Sequence, residues 1–371
     1  MEKYNLGKSL NNLEKTLFKE ICNSNKVIIV SHNHMDFDAL ASSTALAEIV
    51  KSYGQEAYIV TNDNIDNMKD NFRSMFYEVR NKYNIINSEQ LAKIQDSNDL
   101  VILTDVNSIK RTPLKNYNNF DMFNKIIVID HHELDDEVVN TDNLFVNQEI
   151  SSASEILFTV FKKLDIYIEQ DLAQRLLAGI YQDTTALFLL KNSSTLLALT
   201  KLFDYGANFQ EIQELFTLDF DEDRIINDLI DCTRFYKYYN EIYSYNVAIA
   251  MNTNEPDKLY TSEQLANAVD YLLKYSVNAA FAIGFTDKAN LGEGHKDKIS
   301  IKARSKFGEK EFVDVGSIMR LINGGGGKNR AAATIKTNNI NEVSDSLIEL
   351  IRQNQEMDYI EEKVKTFSLK K

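Results

Sequence analysis

The 371-residue sequence predicts an α/β protein of two units: a parallel sheet with helices on both faces, then a smaller α+β unit. Three observations predict it. Short apolar, β-branched runs in the first 130 residues alternate with helical periodicity, the pattern of strands buried on both faces. Amphipathic helical stripes then dominate. After residue 240 strand, helix and strand signals restart.

Taken in order, "MEKYNLGKSLNNLEKTLFKEI" reads as an amphipathic helix. It carries acids and lacks an apolar signal core, so no export signal is expected. "KVIIVS" (26–31), "EAYIV" (56–60), "DLVILTD" (99–105) and "KIIVID" (125–130) read as strands, with a helix from Asp38 to Lys51. "SASEILFTVFKKL" (152–164), "DLAQRLLAGIYQDT" (171–184) and Ser193–Phe203 read as helices, and 219–239 as one long connecting helix. The stripe of 152–164 suits either a core or a dimer surface. Further on, 243–251, 279–285 and 298–305 read as strands, with a helix over 262–275. Strands 279–285 and 298–305 are expected to pair across a polar loop that holds His295, expected at the surface. A helix, a glycine loop and a strand fill 316–336, a last helix covers 341–353, and a lysine-rich tail after Lys363 frays. The expected domains are 1–195, a helical linker 196–239, 240–355 and a tail 356–371.

Net charge is −14, which argues against duplex DNA or an anionic membrane surface as partner. No stretch approaches a membrane span. Cys22 and Cys232 fit no metal or redox spacing and read as thiols in a reducing cytoplasm.

The chemistry concentrates at strand ends. His32, Asp36 and Asp38 follow the first strand, Asp105 and Asp130 end two others, and His131 and His132 come next. Asp183 sits near a helix end in "GIYQDTT". In an open parallel sheet, ligands bind beyond the carboxyl ends of the strands. Each motif alone has an ordinary explanation: a solvated turn, Asp38 as a helix cap, an incidental His-His pair. Four segments converging on one edge do not. Carboxylates that close repel one another unless cations intervene. Oxygen and imidazole donors without thiolates suit Mn²⁺, Mg²⁺, Fe²⁺ or Zn²⁺. Two such ions roughly 3.5–4 Å apart stabilise displacement at phosphorus. His34 reads as a loop residue, not a ligand. In the second unit "GGGG" (324–327) precedes Lys328, Asn329 and Arg330, with Arg304 upstream in "KARS". Glycines let backbone N–H groups approach a phosphate, and the cations neutralise it.

Read in order, "SHNHMDFDALASS", "LTDVNS", "VIDHHE", "YQDTT" and "GGGGKNRAAAT" resemble the successive motifs of the DHH/DHHA1 phosphoesterase family, over roughly residues 15–352. "SSASE", "LLAGIYQDT" and "KARS" are most similar to its cyclic di-AMP phosphodiesterase branch, here expected as a stand-alone soluble form. The resemblance implies an N-terminal DHH domain, a C-terminal DHHA1 domain and an active site in the cleft between them. It implies two divalent cations, Mn²⁺ by expectation. One is held by His32, Asp36 and Asp105, the other by Asp38, Asp105, His131 and Asp183. It assigns His132 to the scissile phosphate or leaving oxygen and Asp130 to orienting the histidines. Arg304, Gly325, Gly326, Gly327, Lys328 and Arg330 then hold the nucleotide's other end, and a homodimer is implied.

The expected activity is a cytoplasmic phosphodiesterase on cyclic di-AMP, the linear dinucleotide pApA, or both. The rival within the family is an oligoribonuclease that also acts on 3′-phosphoadenosine 5′-phosphate. A DHH pyrophosphatase fits the glycine motif less well, and a non-enzymatic nucleotide sensor predicts a lost ligand. Met35 stands where the family has proline, Ala41 where it often has glycine, Lys328 where it has histidine and Ala331 where it has asparagine. The last two bear on substrate choice.

Overall fold

The structure, a computed structural model, describes residues 12–135, 137–190, 192–217, 220–256, 258–286, 298–306 and 313–362. His295, most of its loop and the tail from Lys363 lie outside these residues. The chain divides into two compact units, Met1–Thr217 and Leu218–Lys371.

In the first unit the described elements run α1 (Leu13–Cys22), β1 (Val27–Val30), α2 (Phe37–Ser52), β2 (Ala57–Val60), α3 (Asp70–Lys82), β3 (Asn84–Ile86) and α4 (Ser88–Ile94). They continue with β4 (Leu100–Thr104), β5 (Lys125–Asp130), β6 (Leu144–Val146), α5 (Ala153–Leu164), α6 (Gln170–Asp183), α7 (Ser193–Asp204) and α8 (Phe209–Leu215). The six strands form one parallel sheet of order β3-β2-β1-β4-β5-β6. The order reverses direction between β1 and β4, which opens a crevice at their carboxyl ends. Both faces are buried, which is why the central strands read as unbroken apolar runs. Val27 and Ile29 of β1 pack against the helices α1, α2, α3 and α5 to α8. Ile28 and Val30 pack into the opposite core, closed by α4 and by irregular segments carrying Val106, Leu114 and Phe123. Each such aliphatic side chain contributes roughly 1.5–3 kcal/mol by leaving water. The expected helices cover both faces, but one face relies largely on loops.

The apolar stripe of α5 is core: Ile156, Leu157, Val160 and Phe161 are buried. Its dimer-surface alternative is therefore withdrawn. Of the elements unread in the sequence, β3, β6, α4 and α8 are short, whereas α3 carries a full apolar stripe of Phe72, Met75, Phe76 and Val79.

In the second unit, α9 (Phe220–Asp231), β7 (Arg234–Tyr239), β8 (Ser244–Met251), β9 (Leu259–Tyr260), α10 (Ser262–Leu272) and β10 (Ala279–Thr286) come first. Then follow β11 (Lys298–Ser305), α11 (Val315–Arg320), β12 (Gly325–Gly326), β13 (Arg330–Lys336), α12 (Ile340–Gln355) and β14 (Asp358–Glu362). The sheet runs β12-β13-β11-β10-β8-β7-β14, with β9 against β10. Helices α11 and α12 cover one face, and α9 and α10 the other. The hairpin of β10 and β11 forms as expected, antiparallel from Ala279↔Ser305 to Phe285↔Ile299.

The long helix expected over 219–239 is incorrect. Helix α9 stops at Asp231, and "RFYKYY" alternates as a strand that buries Tyr236 and Tyr238. Its backbone pairs with β8 on one side and β14 on the other. Period-2 aromatic burial between two partner strands overrides helix continuation. Strand β14 also lies within the stretch expected as tail.

Candidate metal centre

Strand ends and helix starts aim the acidic and imidazole side chains at one another. Beyond β1 the chain turns through His32 to Asp36, which caps α2: its Oδ1 accepts the Ala39 N–H at 3.0 Å. The cap is Asp36, and Asp38 is buried in the first turn. Both Asp38 oxygens accept N–H groups from the start of α5, Oδ2 from Ala153 at 2.7 Å and Oδ1 from Ser154 at 2.8 Å. Asp105 follows β4 at φ +59, a left-handed conformation that strains a non-glycine residue. Asp130 ends β5, followed by His131 and His132. Asp183 is the last residue of α6, where a carboxylate opposes the helix dipole.

The distances define two donor sets that share Asp105, beside a third group of Asp105, Asp130, His131 and His132. In the first, His32 Nε2 lies 3.6 Å from Asp36 Oδ1 and 3.3 Å from Asp105 Oδ2. In the second, His131 Nε2 lies 3.3 Å from Asp105 Oδ1, 2.9 Å from Asp183 Oδ2 and 3.9 Å from Asp38 Oδ2. Each set brings its ligand atoms within 4.8 Å of one another. Asp105 therefore offers one oxygen to each set. His32 Nδ1 donates to the Asn33 carbonyl at 2.9 Å, which leaves Nε2 to face the two carboxylates. His132 lies beside these sets: its Nδ1 is 3.5 Å from Asp105 Oδ1 and donates to Asp130 Oδ1 at 2.8 Å, and its side chain is 41% exposed.

The residues fit divalent cations. Asp105 Oδ1 and His131 Nε2 are buried and, although they lie 3.3 Å apart, neither makes a well-directed hydrogen bond among the described residues. Buried polar atoms without partners are costly, and a cation supplies the missing contact. The electrostatics agree. Burial pushes the Asp38 carboxyl well up, and the Asp105 and Asp183 charges push it further. For Asp105 burial acts upward too, but His131 and His32 outweigh it and hold the carboxyl below its ordinary range. Burial opposes the charge on His32 and His131, yet their carboxylate neighbours raise both well above the ordinary imidazole value. Protons on these imidazoles take the place that cations fill.

Three supporting residues escaped sequence reasoning. Asn107 Nδ2 donates to Asp130 Oδ2 at 2.6 Å and to the Glu133 carbonyl at 3.0 Å, fixing the carboxylate that holds His132. Gln182 Oε1 accepts the Phe37 N–H at 2.8 Å, tying the Asp183 helix end to the start of α2. Gly179 lets α6 pass against Asp38. The quoted motifs "LTDVNS" and "LLAGIYQDT" contain all three, but only the fold reveals their partners.

In the second unit, Arg304 of β11 and Arg330 of β13 are cross-strand neighbours. Arg304 Nε lies 3.3 Å from Asp270 Oδ1. Burial holds Arg304 below its usual value, with Arg330 acting the same way against Asp270. Gly325 and Gly326 form β12 beside Ala332 and Ala331. Gly326 adopts φ +126, and a Cβ on Gly324 would lie 2.5 Å from the Ala332 carbonyl, so the motif is a close-packed edge as well as a loop. Gly327 is half-buried, and Lys328 and Arg330 are exposed.

Two family models match the chain in order: the DHH family N-terminal domain over residues 26–180 and the DHHA1 domain over 244–353. A membrane protein–large ribosomal subunit bL9 fusion protein of Aster yellows witches'-broom phytoplasma is 28% identical over 86% of this chain and 36% of its own length. Cyclic-di-AMP phosphodiesterase PdeA of Listeria monocytogenes is 26% identical over 91% of this chain and 49% of its own length. The chain thus spans between a third and a half of these relatives. The crystal structure of an exopolyphosphatase-related protein from Bacteroides fragilis shares the fold, with a TM-score of 0.68, 17% identity, and 93% of this chain and 96% of that one covered. The sequence motifs and both matched domains agree, and the chain belongs to the DHH/DHHA1 phosphoesterase family.

Proposed function

We propose that this protein is a Mn²⁺-dependent phosphodiesterase that hydrolyses cyclic di-AMP, the linear dinucleotide pApA, or both. The observation that carries the reading is the shared Asp105 carboxylate, with His32 at 3.3 Å from one oxygen and His131 at 3.3 Å from the other. His32, Asp36 and Asp105 would hold one cation, and Asp38, Asp105, His131 and Asp183 the second. Two cations bound there supply Lewis-acid charge for displacement at phosphorus. An oxygen and imidazole donor set without thiolate suits Mn²⁺. Both branches of the reading hydrolyse a P–O bond: a water oxygen bonds to phosphorus, and the 3′-oxygen leaves with a proton. Asp130 fixes the tautomer of His132, whose Nε2 is then the nitrogen available to the scissile phosphate or leaving oxygen. Arg304, Gly325, Gly326, Gly327, Lys328 and Arg330 would hold substrate phosphate. The like charges of Arg304 and Arg330 across β11 and β13 favour an anion between them. Free Cys22 and Cys232 accord with a cytoplasmic location. A homodimer belongs to the same proposal, tested by sedimentation velocity.

Lys328, in the family's histidine position, keeps a second reading in play: an oligoribonuclease that also acts on 3′-phosphoadenosine 5′-phosphate. Purified protein with Mn²⁺ is assayed against cyclic di-AMP, pApA, short RNA and 3′-phosphoadenosine 5′-phosphate. Preference for the first two supports the proposal. Comparable turnover of all four, or of none, overturns it.

A further inference from the structure

The loop that carries His32 and Asp36 also lines a cavity of about 470 Å³ within the first unit. Asn33 and His34 come from beyond β1, Asn62 and Asp63 from beyond β2, and Lys115 and Asn116 from the loop after β4. The cavity thus sits over the carboxyl ends of the strands beside the crevice, where a ligand larger than phosphate extends in sheets of this order.

Its walls are built. Asn62 Nδ2 donates to Ser88 Oγ at 3.0 Å and to the Pro113 carbonyl at 3.1 Å, while Asn62 Oδ1 accepts the Ser88 N–H at 3.0 Å. Asn33 donates its N–H to the Arg111 carbonyl at 2.7 Å and its Nδ2 to the Thr112 carbonyl at 2.9 Å. Asp63 accepts the His34 N–H at 3.0 Å and the Met35 N–H at 2.7 Å, holding His34 at φ +58. Both oxygens of the lining carboxylate are therefore engaged. Among the described residues, the side chains of His34, Lys115 and Asn116 make no hydrogen bond within the protein. The side chains left to face a ligand are the Lys115 ammonium, the His34 imidazole and the Asn116 amide, beside an Asp63 carboxylate whose oxygens are held by backbone N–H groups. That suits a nucleoside bearing a single phosphate group.

We propose that this cavity is the subsite for the leaving nucleotide of a linear dinucleotide, with His34 and Asn116 on the nucleoside and Lys115 on its terminal 5′-phosphate. The proposal rests on the phosphodiesterase reading above. When the 3′-oxygen–phosphorus bond of pApA breaks, the departing nucleotide keeps its 5′-phosphate and gains a 3′-hydroxyl. Cyclic di-AMP has no terminal phosphate, so Lys115 separates linear from cyclic substrate.

Lys115 is exposed, so Lys115→Ala leaves the core intact. Wild type and variant are compared with Mn²⁺ on pApA, on ApA without the terminal phosphate, and on bis(p-nitrophenyl) phosphate. A charge-assisted contact predicts that kcat/KM for pApA falls about tenfold, through KM, while the other two substrates stay within about twofold. An unchanged preference of pApA over ApA, or an equal fall on all three, overturns the subsite and leaves the phosphodiesterase reading standing. Turnover of bis(p-nitrophenyl) phosphate but of neither dinucleotide removes that reading instead. Calorimetric titration of AMP then decides the cavity alone: weaker binding in Lys115→Ala supports a nucleotide site, and equal binding overturns it.

Discussion

Gly179 of α6 faces Asp38 of α2 so closely that a Cβ on it would stand 2.9 Å from Asp38 Oδ1 and 3.0 Å from Asp38 Cα. The same Cβ would collide with Ser154 Oγ, beside the N–H groups that hold the Asp38 carboxylate. Gly179→Ala pits a helix-propensity gain of about 1 kcal/mol against overpacking that costs roughly 1–3 kcal/mol. We expect net destabilisation in urea, with weaker Mn²⁺ binding at the second donor set by calorimetry. A variant as stable as wild type with unchanged Mn²⁺ affinity contradicts this packing account.

Asn107 acts through Asp130 and not on substrate. Its side-chain N–H groups are shared between Asp130 and the Glu133 carbonyl, and its Oδ1 accepts the Asp135 N–H at 2.9 Å. Asn107→Ala loosens the carboxylate that orients His132. Support of this kind is worth about 10–100-fold in activity. Steady-state kinetics should show the loss in kcat, with KM little moved and a shifted pH profile. An effect on KM alone assigns Asn107 to binding.

Asp105 is shared by both donor sets, so Asp105→Asn should abolish binding of the cation pair as a unit. Asparagine tolerates the left-handed backbone at this position better than alanine, which keeps the fold. Calorimetry or manganese anomalous scattering reads the stoichiometry. Retention of two ions with wild-type affinity excludes the shared-carboxylate assignment.

Stability against pH follows from the same groups. The folded chain raises His32 and His131, so their contribution is complete below the unfolded imidazole value of about 6.5 and is lost as pH climbs through the raised values. Raised Asp38 adds to the loss on that side. Lowered Asp105 and Asp130 act oppositely: their contribution is complete above about pH 4 and lost on acidification. The chelated protein should therefore melt at a lower temperature at pH 8.5 than at pH 6. Added Mn²⁺ should stabilise it more at pH 8.5, because the ions displace protons. Chelated protein that gains stability over this range would contradict the sign.

Much of this architecture is legible in the residues. The runs "KVIIVS", "DLVILTD" and "KIIVID" need no tertiary information, since burial on both faces demands continuous apolar side chains. His32, Asp105 and His131 follow those strands directly, so their convergence on one edge comes with the parallel order, while Asp183 reaches it from the end of α6. The break at Asp231 was not legible. "RFYKYY" becomes a strand because β8 and β14 pair with it, and the paired residues lie 5 to 15 and 119 to 127 positions further along the chain.

The sequence by itself determined the two-unit α/β organisation, the alternation of strand and helix, and the acids and imidazoles at the strand ends. All are properties of local pattern. The tertiary structure decided that Asp105 adopts a left-handed backbone between two donor sets, that Asn107 steadies Asp130, and that Gly179 makes room for Asp38. Each of these is a contact between segments far apart in sequence, set by packing and hydrogen-bond geometry that local pattern does not encode.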